Sequence, residues 1–575
     1  MSDSTKEVLA TFFGDESFPV EWKDEEEKKL FWFFDDNHVA MPISPMYFSL
    51  HGWWGPTLDY MYRRFGFPIG QAWNGKRING YLYSAITPRD PKEAGLIGPY
   101  YGWIMNTYAE NFLEWWQKRY IPEILRNFEY IDSFPVETAS LQELMVYLEE
   151  AIDIQERHFR LHWILNLAQF QSSMDFQGVA NEVVPGIDGA IIGRILISID
   201  DRNWEAIENL WKLKEEAKAN KELKAIFDAG DTSSVILPAL QASDAGKTFL
   251  KHVEEYCKEY GYKSMYPHEY NYKLWVEDPA PAIETIKGYL ASDYDFPAEY
   301  KKIKDDHFAA IEELKAKIPA DATKEQREKL DHSLKLATRM MPLTPDHHFY
   351  FDQGTFGRLR LVLLAVGRKM VKEGLLRSAD DIMFLEYEQL RYFVANPKSE
   401  SNPDGYDGIA VIKEARRQWD KAFKLAPRGW VGTVTKWAMY EEPYHFLWGW
   451  PERFEREQKG EAGQVAGVLQ GLPAAAGMAE GIARVVTGPE QFDQVKKGEI
   501  VVCITTNPAW VVVFSKIKAV VVDTGGVLAH AAIVAREFGI PGVVGTGDGT
   551  RKIKTGSRIR VNGFTGTVEI LEEPK

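Results

Sequence analysis

The sequence has only two cysteines, Cys257 and Cys503, in 575 residues. They are far apart and belong to no metal-binding or redox motif, so a disulfide framework is not expected and a reducing cytoplasm fits. No run of about 18 apolar residues is present, so we predict no transmembrane helix. The N-terminus lacks a basic segment followed by an apolar core, which argues against a signal peptide. We therefore expect a cytoplasmic protein without a membrane partner.

An excess of basic residues is also missing. The chain has 68 Lys and Arg against 84 Asp and Glu, a net charge of −16. A general nucleic-acid-binding protein needs a basic surface, so we expect no nucleic-acid partner. At about 150 residues per domain, the length allows three or four domains.

Aromatic residues are abundant, with 18 Trp, 26 Tyr and 31 Phe, and many precede residue 120. Large rings often fill a large core. They can also line a pocket or a partner surface, and composition alone leaves both interpretations open. His38 and His51 lie in this part of the chain and are either pocket residues or structural histidines.

The chain becomes helical from Ser140, where Ser140 and Glu143 form a predicted capping box. The pattern predicts helices over 140–171, 201–228, 244–260, 279–291, 297–317 and 323–340, and a shorter one within 24–34. His158 and His162 have the i, i+4 spacing that places two imidazoles on one helix face. No glutamate adjoins His158 and no third ligand is suggested, so we predict no metal site.

Residues 520–545 follow the order strand, glycine turn, helix, strand, and His530 is the polar residue of the helix's first turns. The first amides of a helix lack internal partners and favour an anion, and Gly525 and Gly526 let the backbone approach it. A histidine there can act as a nucleophile for a phosphoryl group. The alternative is an ordinary helix with a partly exposed histidine.

The segment 524–541 resembles the phosphohistidine signature of the swivelling domain in phosphoenolpyruvate-utilising enzymes. Its matching residues run from Thr524-Gly525-Gly526 through His530 and Arg536 to a Gly-Ile-Pro end. The resemblance implies that His530 becomes a covalent phosphohistidine. It also implies that Thr524, Gly525, Gly526 and Arg536 bind the phosphoryl group.

The resemblance extends over about 463–572 and predicts an α/β multidomain protein. We expect a mainly α-helical, aromatic-rich acceptor-binding region over 1–455 and a β/β/α phosphohistidine swivelling domain over 464–575. A hinge linker is predicted over 456–463, within a charged, glycine-containing stretch from Pro451 to Gly463 that reads as exposed and weakly packed.

A second stretch, from Arg358 to Leu390, resembles the region upstream of such swivelling domains, and we expect a helix end, a cap and a strand after residue 372. Candidates for the acceptor pocket are His268, Glu269, His347, His348 and Arg358. The three histidines are candidate bases for deprotonating an acceptor hydroxyl. Each of them can instead be structural.

We recognise neither an ATP-grasp domain nor a phosphoenolpyruvate-binding barrel, which needs about 250 residues. Gly246-Lys247-Thr248 lacks the earlier glycine of a P-loop, because Gln241 stands at that position. The layout resembles the large subunits of phenylphosphate synthases. That resemblance implies a separate ATP-grasp subunit that uses ATP and Mg²⁺, and a small phenolic substrate converted to an aryl phosphate. The alternatives are a non-catalytic relic that binds an aromatic ligand, or a subunit of a phosphoenolpyruvate synthase-like enzyme that acts on another hydroxyl or keto acid.

Overall fold

The computed structural model describes residues 4–574 except 37, 52–53, 231, 265, 267, 293, 443–444, 446–448, 460–466, 488, 507–509, 515 and 527–529. The side chains of 51, 54–55, 190, 292, 459, 489–490, 493, 511–512, 530, 533 and 537 are also outside the described set. Two sheets and a large helical region make up the described chain, which confirms an α/β multidomain architecture.

A five-stranded antiparallel sheet forms near the N-terminus in the order β1-β5-β2-β4-β3. Its strands are β1 (Val8–Phe12), β2 (Phe31–Phe34), β3 (Gly70–Ile78), β4 (Tyr81–Pro88) and β5 (Trp430–Thr435). The β3–β4 hairpin turns at Asn79 (φ 50°) and Gly80 (φ 90°), as an Asn-Gly turn requires. The prediction of a helix that continues to Phe34 is wrong. Residues Phe31–Phe34 form a buried central strand, because both faces of this sheet are covered.

Helices dominate the region between β4 and β5. The α-helices that precede the C-terminal sheet span Glu25–Lys28, Pro45–His51, Trp54–Phe65, Pro91–Trp115, Ile121–Asp132, Leu141–Val183, Gly189–Ile195, Arg202–Ala219, Lys221–Ala229, Ser233–Ala242, Asp244–Tyr260, Ala280–Ser292, Phe296–Ala316, Lys324–Met340, Leu343–His347, Phe356–Lys372, Tyr387–Ala395, Gly408–Ala422 and Trp450–Lys459. In the described part of the chain before the C-terminal sheet, the segments Trp116–Tyr120, His348–Thr355 and Trp437–Glu441 are π-helical, and Ala379–Phe384 is a 3₁₀ segment.

The predicted helix starts agree with the structure. The Ser140–Glu143 capping box is present, and its helix continues to Val183. The prediction of a strand after residue 372 is wrong, because the chain forms the 3₁₀ segment Ala379–Phe384 and then the helix Tyr387–Ala395. The apolar side chains of the 3₁₀ segment are buried against the helix Phe356–Lys372 rather than in a sheet.

The aromatic side chains largely fill the core. Phe33, Trp73, Phe112 and Trp116 belong to one buried cluster, so the core interpretation is confirmed for these rings. Among the described residues, every helix is too short or too polar to cross a lipid bilayer.

The C-terminal sheet has eight strands in the order β6-β13-β12-β8-β9-β10-β11-β7. They are β6 (Val468–Gln470), β7 (Leu472–Ala475), β8 (Met478–Val486), β9 (Ile500–Cys503), β10 (Ala519–Val522), β11 (Gly542–Val544), β12 (Arg558–Asn562) and β13 (Thr567–Glu572). Strands β8 to β11 are parallel, and the others pair antiparallel. The helices Val511–Phe514, His530–Glu537 and Gly549–Lys552 and the 3₁₀ segment Pro489–Gln494 connect these strands. We call residues 468–572 the carrier sheet region.

The stretch after Pro451 is not the weakly packed linker that its composition suggested. Residues Trp450–Lys459 form a helix whose Trp450 and Phe454 side chains are buried. Arg453 pairs with the buried Asp36 at 2.5 Å. Residues 460–466, the rest of the predicted hinge, lie outside the described residues.

Candidate functional site

The strand–turn–helix predicted around His530 is present. Strand β10 is fully buried between β9 and β11, and the helix that follows begins at His530. The turn between them contains Gly525 at φ +84°, a conformation that costs a residue with a Cβ of order 1 kcal/mol or more. The sequence therefore places a glycine where the chain must reverse between a parallel strand and its crossover helix.

Hydrogen bonds fix this turn against the neighbouring strand ends. The backbone N–H and hydroxyl of Thr524 both donate to the carbonyl of Ile504, at 3.0 and 2.8 Å. The Gly545 N–H donates to the Thr524 carbonyl at 3.2 Å. The hydroxyl proton of Thr524 is thus engaged within the fold, so its predicted contact with a phosphoryl group would replace an existing hydrogen bond.

Asp523, for which no role was predicted, stabilises the turn through hydrogen bonds of its side chain. Its carboxylate accepts from the Thr546 hydroxyl at 2.8 Å and from the Thr550 N–H at 3.2 Å. Burial raises the pKa of Asp523, and these hydrogen bonds oppose that shift. The pattern of an acidic residue directly after a buried strand was the sequence signal that could have identified it.

The structure describes some of the other predicted phosphoryl-site residues and not others. Gly525 and Gly526 are buried, whereas residues 527–529 and the His530 side chain lie outside the described residues. Arg536 lies six positions after His530, about 9 Å along the helix axis. Its Nε donates to the Ala474 carbonyl of β7 at 2.7 Å. The roles of His530 and Arg536 in phosphoryl chemistry stay predictions.

A second group of polar side chains, most of them buried, lies in the N-terminal region. Five imidazoles surround the carboxylate of Asp352, which is 3% exposed. We call this set the histidine cluster, and its members are His38, His162, His268, His347, His348 and Asp352.

Asp352 is the centre of the histidine cluster. His348 Nδ1 lies 2.5 Å from Asp352 Oδ2, and His347 Nε2 lies 3.6 Å from the same oxygen. His268 Nε2 lies 3.7 Å from Oδ1. The rings of His162 and His347 are 5.0 Å apart, and those of His38 and His268 are 5.4 Å apart.

Burial sets the protonation states in the cluster. It lowers the pKa of His162 to about 3 and of His268 to about 4, and it lowers the pKa of His347 well below the ordinary value. These three rings are therefore neutral near pH 7. Burial acts to raise the pKa of Asp352, but its histidine neighbours, among them His348 through a hydrogen bond, hold the pKa well below its usual range. The cluster thus combines neutral imidazoles with an ionised carboxylate.

The cluster is assembled from separate segments. His162 comes from the middle of the helix Leu141–Val183, and His268 comes from the loop before Ala280. His348 and Asp352 lie in the π-helical segment His348–Thr355, a conformation that often occurs at functional sites. The sequence analysis missed Asp352, although its spacing of four from His348 was a usable signal.

The two histidines with i, i+4 spacing on the helix Leu141–Val183 lie in different environments. His162 joins the cluster, whereas His158 bonds the Asn127 amide at 3.0 Å and the Thr355 hydroxyl at 2.8 Å. Spacing alone therefore paired two histidines that the fold separates.

Glu269 and Arg358, both predicted for the acceptor pocket, have other partners. Glu269 accepts from the Ser44 N–H at 2.7 Å and from the Asn271 N–H at 3.1 Å, and burial raises its pKa to about 7. It thereby ties together the two loops that carry His38 and His268. Arg358 pairs with Asp132 at 2.8 Å and is positioned between two aromatic rings, so its described contacts are structural.

The same two loops reach the carrier sheet region. The Tyr266 hydroxyl donates to the Thr487 carbonyl at 3.2 Å. Met41 and Tyr266 belong to the buried cluster that contains Ala531 and Ala532, the two residues after His530. The helix that begins at His530 is therefore packed in the same apolar cluster as the loops of His38 and His268.

Comparison with known proteins agrees with this arrangement. Residues 495–566 match the family described as "PEP-utilising enzyme, mobile domain", and residues 188–344 match "Rifampicin phosphotransferase fourth domain". The second match covers His268 and Glu269.

Three curated relatives are similar to this chain. The uncharacterized phosphotransferase YvkC of Bacillus subtilis is 24% identical, over 94% of this chain and 62% of the relative. The chondramide synthase cmdD of Chondromyces crocatus is 25% identical, over 96% of this chain and 14% of the relative. The rifampicin phosphotransferase of Bacillus cereus is 26% identical, over 57% of this chain and 35% of the relative.

The chain thus spans less than two thirds of the length of these relatives. Its glycine–histidine segment lies inside the matched mobile domain, and two of the three relatives are named phosphotransferases. The resemblance predicted from that segment is confirmed: residues 495–566 match the mobile domain of phosphoenolpyruvate-utilising enzymes.

Proposed function

We propose that this chain is the carrier and acceptor-binding part of a phosphotransferase. His530 takes up a phosphoryl group, and an acceptor hydroxyl near the histidine cluster receives it. The match of residues 495–566 to a mobile domain and the similarity to proteins named phosphotransferases support this proposal.

One observation carries the proposal. The apolar cluster that holds Ala531 and Ala532 also holds Met41 and Tyr266, from the loops of His38 and His268. A phosphohistidine must come within bonding distance of its acceptor. A carrier helix packed in one cluster with the loops that present buried imidazoles supports a delivery site at this boundary.

The reaction has two displacements. In the first, the imidazole of His530 attacks phosphorus, so a P–N bond forms and the P–O bond to the donor's leaving group breaks. In the second, the acceptor oxygen attacks, a P–O bond forms and the P–N bond breaks. The electron pair returns to the His530 nitrogen, and the acceptor proton must move to a base.

His348 is the base that the geometry favours. Its ring is about half exposed, with 45% of the side chain accessible, whereas Asp352 beneath it is buried. Nδ1–H donates to the carboxylate, which leaves Nε2 to accept a proton and stabilises the imidazolium that results. His268 and His347 are more deeply buried and have lowered pKa values because of that burial, so they are weaker bases.

A phenol is the proposed acceptor, ATP the proposed donor and an aryl phosphate the proposed product. The layout of the chain, which resembles phenylphosphate synthase large subunits, supports this assignment. A phenol loses its proton more easily than an alkyl alcohol, which suits a histidine base. ATP and Mg²⁺ would be bound by a separate ATP-grasp subunit. Two competing proposals are a phosphoenolpyruvate synthase-like subunit and a non-catalytic binder of an aromatic ligand.

Phosphoryl uptake is the first test. The chain is incubated with its ATP-grasp partner, ATP and Mg²⁺, or with phosphoramidate as a direct phosphorylating reagent, and its intact mass is measured. We expect one added phosphate on the wild type and on His252→Ala, and none on His530→Ala. Uptake by His530→Ala would contradict the proposal.

Acceptor choice is the second test. Phenols, alkyl alcohols and keto acids are offered to the phosphorylated chain, and the phosphorylated products are identified. A preference for phenols supports the phenol assignment, and a preference for pyruvate supports the phosphoenolpyruvate synthase-like alternative. Tight binding of an aromatic ligand without phosphoryl uptake from either donor would favour the non-catalytic alternative.

A further inference from the structure

Three side chains of the histidine cluster converge on one point. His162, His347 and Asp352 each offer a donor atom, and these three atoms lie within 4.8 Å of one another. All three residues are buried, at 4%, 7% and 3% exposure. They come from the helix Leu141–Val183, the helix Leu343–His347 and the π-helical segment after it, so rigid elements hold all three.

Two polar atoms of these residues have no hydrogen-bond partner among the described residues. They are Nδ1 of His347 and Oδ1 of Asp352, and both are buried. A buried polar atom without a partner costs about 1–3 kcal/mol, and a bound water or ion is one way in which such an atom is satisfied. This observation is independent of the convergence of the donors.

The three side chains are of types that bind transition metals. Imidazole nitrogens and carboxylate oxygens are both ordinary ligands of zinc.

A supporting shell is also present. His348 Nδ1 donates to Asp352 Oδ2 at 2.5 Å, which orients the carboxylate and leaves Oδ1 toward other partners. Such outer hydrogen bonds are regular features of metal sites. The separation of 3.6 Å between His347 Nε2 and Asp352 Oδ2 is close to the roughly 3.3 Å between two donors on one tetrahedral zinc ion.

We propose that His162, His347 and Asp352 bind one divalent transition-metal ion. Two imidazoles and one carboxylate suit zinc, iron or cobalt, whereas Mg²⁺ and Ca²⁺ prefer oxygen donors. His268 Nε2 lies 3.7 Å from Asp352 Oδ1, beside one of the three proposed ligands. This proposed site rests on the coordination geometry and not on the proposed phosphoryl transfer.

Metal binding is measured on the full chain without ATP or acceptor. The chain is stripped with a chelator and titrated with Zn²⁺ and with Co²⁺, and bound metal is counted by elemental analysis. The visible spectrum of Co²⁺ reports nitrogen coordination directly. We expect one ion per wild-type chain and an increase in thermal stability on binding.

The variants His162→Gln and His347→Gln should weaken Zn²⁺ binding at least about 100-fold, because each loses a ligand. His348→Asn should weaken it by about 10- to 100-fold, the usual effect of losing an outer hydrogen bond. His158→Gln is the matched control, since it removes a buried imidazole from the same helix one turn away and should bind Zn²⁺ as the wild type does.

Circular dichroism distinguishes lost binding from lost folding in each variant. If the folded wild type bound neither Zn²⁺ nor Co²⁺ stoichiometrically, the proposal would be overturned. Equal Zn²⁺ affinity in the wild type, His162→Gln and His347→Gln would overturn it as well, because the ion would then be bound elsewhere. Neither result depends on whether His530 is phosphorylated.

Discussion

The two halves of the proposed site differ in how they are encoded. The carrier half comes from one continuous part of the chain, in which strand β10, the turn that contains Gly525 and the helix His530–Glu537 follow one another. The acceptor half is the histidine cluster, whose members come from positions as distant as His38 and Asp352. A short segment can reveal the first half, because its chemistry depends on local backbone geometry. The second half exists only where helices and loops pack together.

The two halves also differ in the interactions that stabilise them. The carrier turn is held by backbone-directed hydrogen bonds from Thr524 and Gly545. The histidine cluster is held by side-chain contacts to one carboxylate, Asp352. Substitutions should therefore separate uptake, which needs the carrier half, from delivery, which needs the acceptor half.

The largest effect is expected for His348→Asn. It removes the proposed base but leaves His530 unchanged, so uptake should equal that of the wild type. Delivery to a phenol should slow by about 10²- to 10⁴-fold, the usual contribution of general base catalysis. The measurement is the rate of aryl phosphate formation from the phosphorylated chain.

The matched control is His252→Asn, because His252 also pairs with a carboxylate, Glu216, at 3.0 Å but lies outside the cluster. Its delivery rate should equal that of the wild type. Equal rates for His348→Asn and His252→Asn would contradict the role of His348.

A stability effect is expected for Arg360→Met. Arg360 is buried, pairs with Glu277 at 2.7 Å and donates to the Tyr270 carbonyl, so it fastens the His268 loop to the helix Phe356–Lys372. Breaking a buried pair costs about 3–5 kcal/mol, and the partial exposure of Glu277 favours the lower value. Urea unfolding measures this loss.

Arg391→Met is its control, because the Arg391–Glu149 pair is exposed and its loss should change the free energy of unfolding by less than about 1 kcal/mol. If both variants lost the same stability, the buried pair would not be holding the loop.

A pH-dependent effect is expected at Glu269. Burial raises its pKa from 4.5 to about 7, so the folded chain keeps a proton that the unfolded chain has lost. Stability should therefore fall as pH rises from 4.5 and level off above about 7. Relative to Glu269→Gln, the wild type should lose about 3 kcal/mol across this window. A stability difference that stays constant with pH would show that Glu269 is ionised in the fold throughout.

The smallest effect is expected for Thr524→Val in the carrier half. Loss of its hydrogen bond to Ile504 should cost about 1 kcal/mol. Thr433→Val is the control for this loss of stability. Its hydroxyl likewise donates to a backbone carbonyl, that of Lys28, at 2.6 Å, but lies outside the carrier half. Phosphoryl uptake by Thr524→Val, measured by intact mass, should match that of the wild type. Loss of uptake with normal folding would instead assign the hydroxyl to phosphoryl binding.

Local signals predicted several of the longer helices and the carrier segment. The capping box at Ser140 and the Asn79-Gly80 turn act within a few residues, so the sequence displays them directly. The helix Trp450–Lys459 was missed because its many charged residues suggested exposure, whereas Trp450 and Phe454 are buried by packing against β-strand residues distant in sequence.

The candidate site shows the same difference between local sequence signals and contacts between distant residues. His268, His347 and His348 were predicted individually, but their common partner Asp352 was not. Its spacing of four from His348 was visible in the sequence, whereas the packing that buries its carboxylate among the imidazoles was not. Arg358 looked equally suitable for the pocket. The fold instead pairs it with Asp132, a residue that no local pattern connects to it.

The central claim is that one chain both carries a phosphoryl group on His530 and delivers it at the histidine cluster. The most direct measurement follows the phosphorylated wild-type chain after phenol is added, recording its intact mass and the amount of aryl phosphate together. We predict that each phosphate lost from the protein appears as one aryl phosphate. Loss only as inorganic phosphate, at a rate that phenol does not change, would contradict the account.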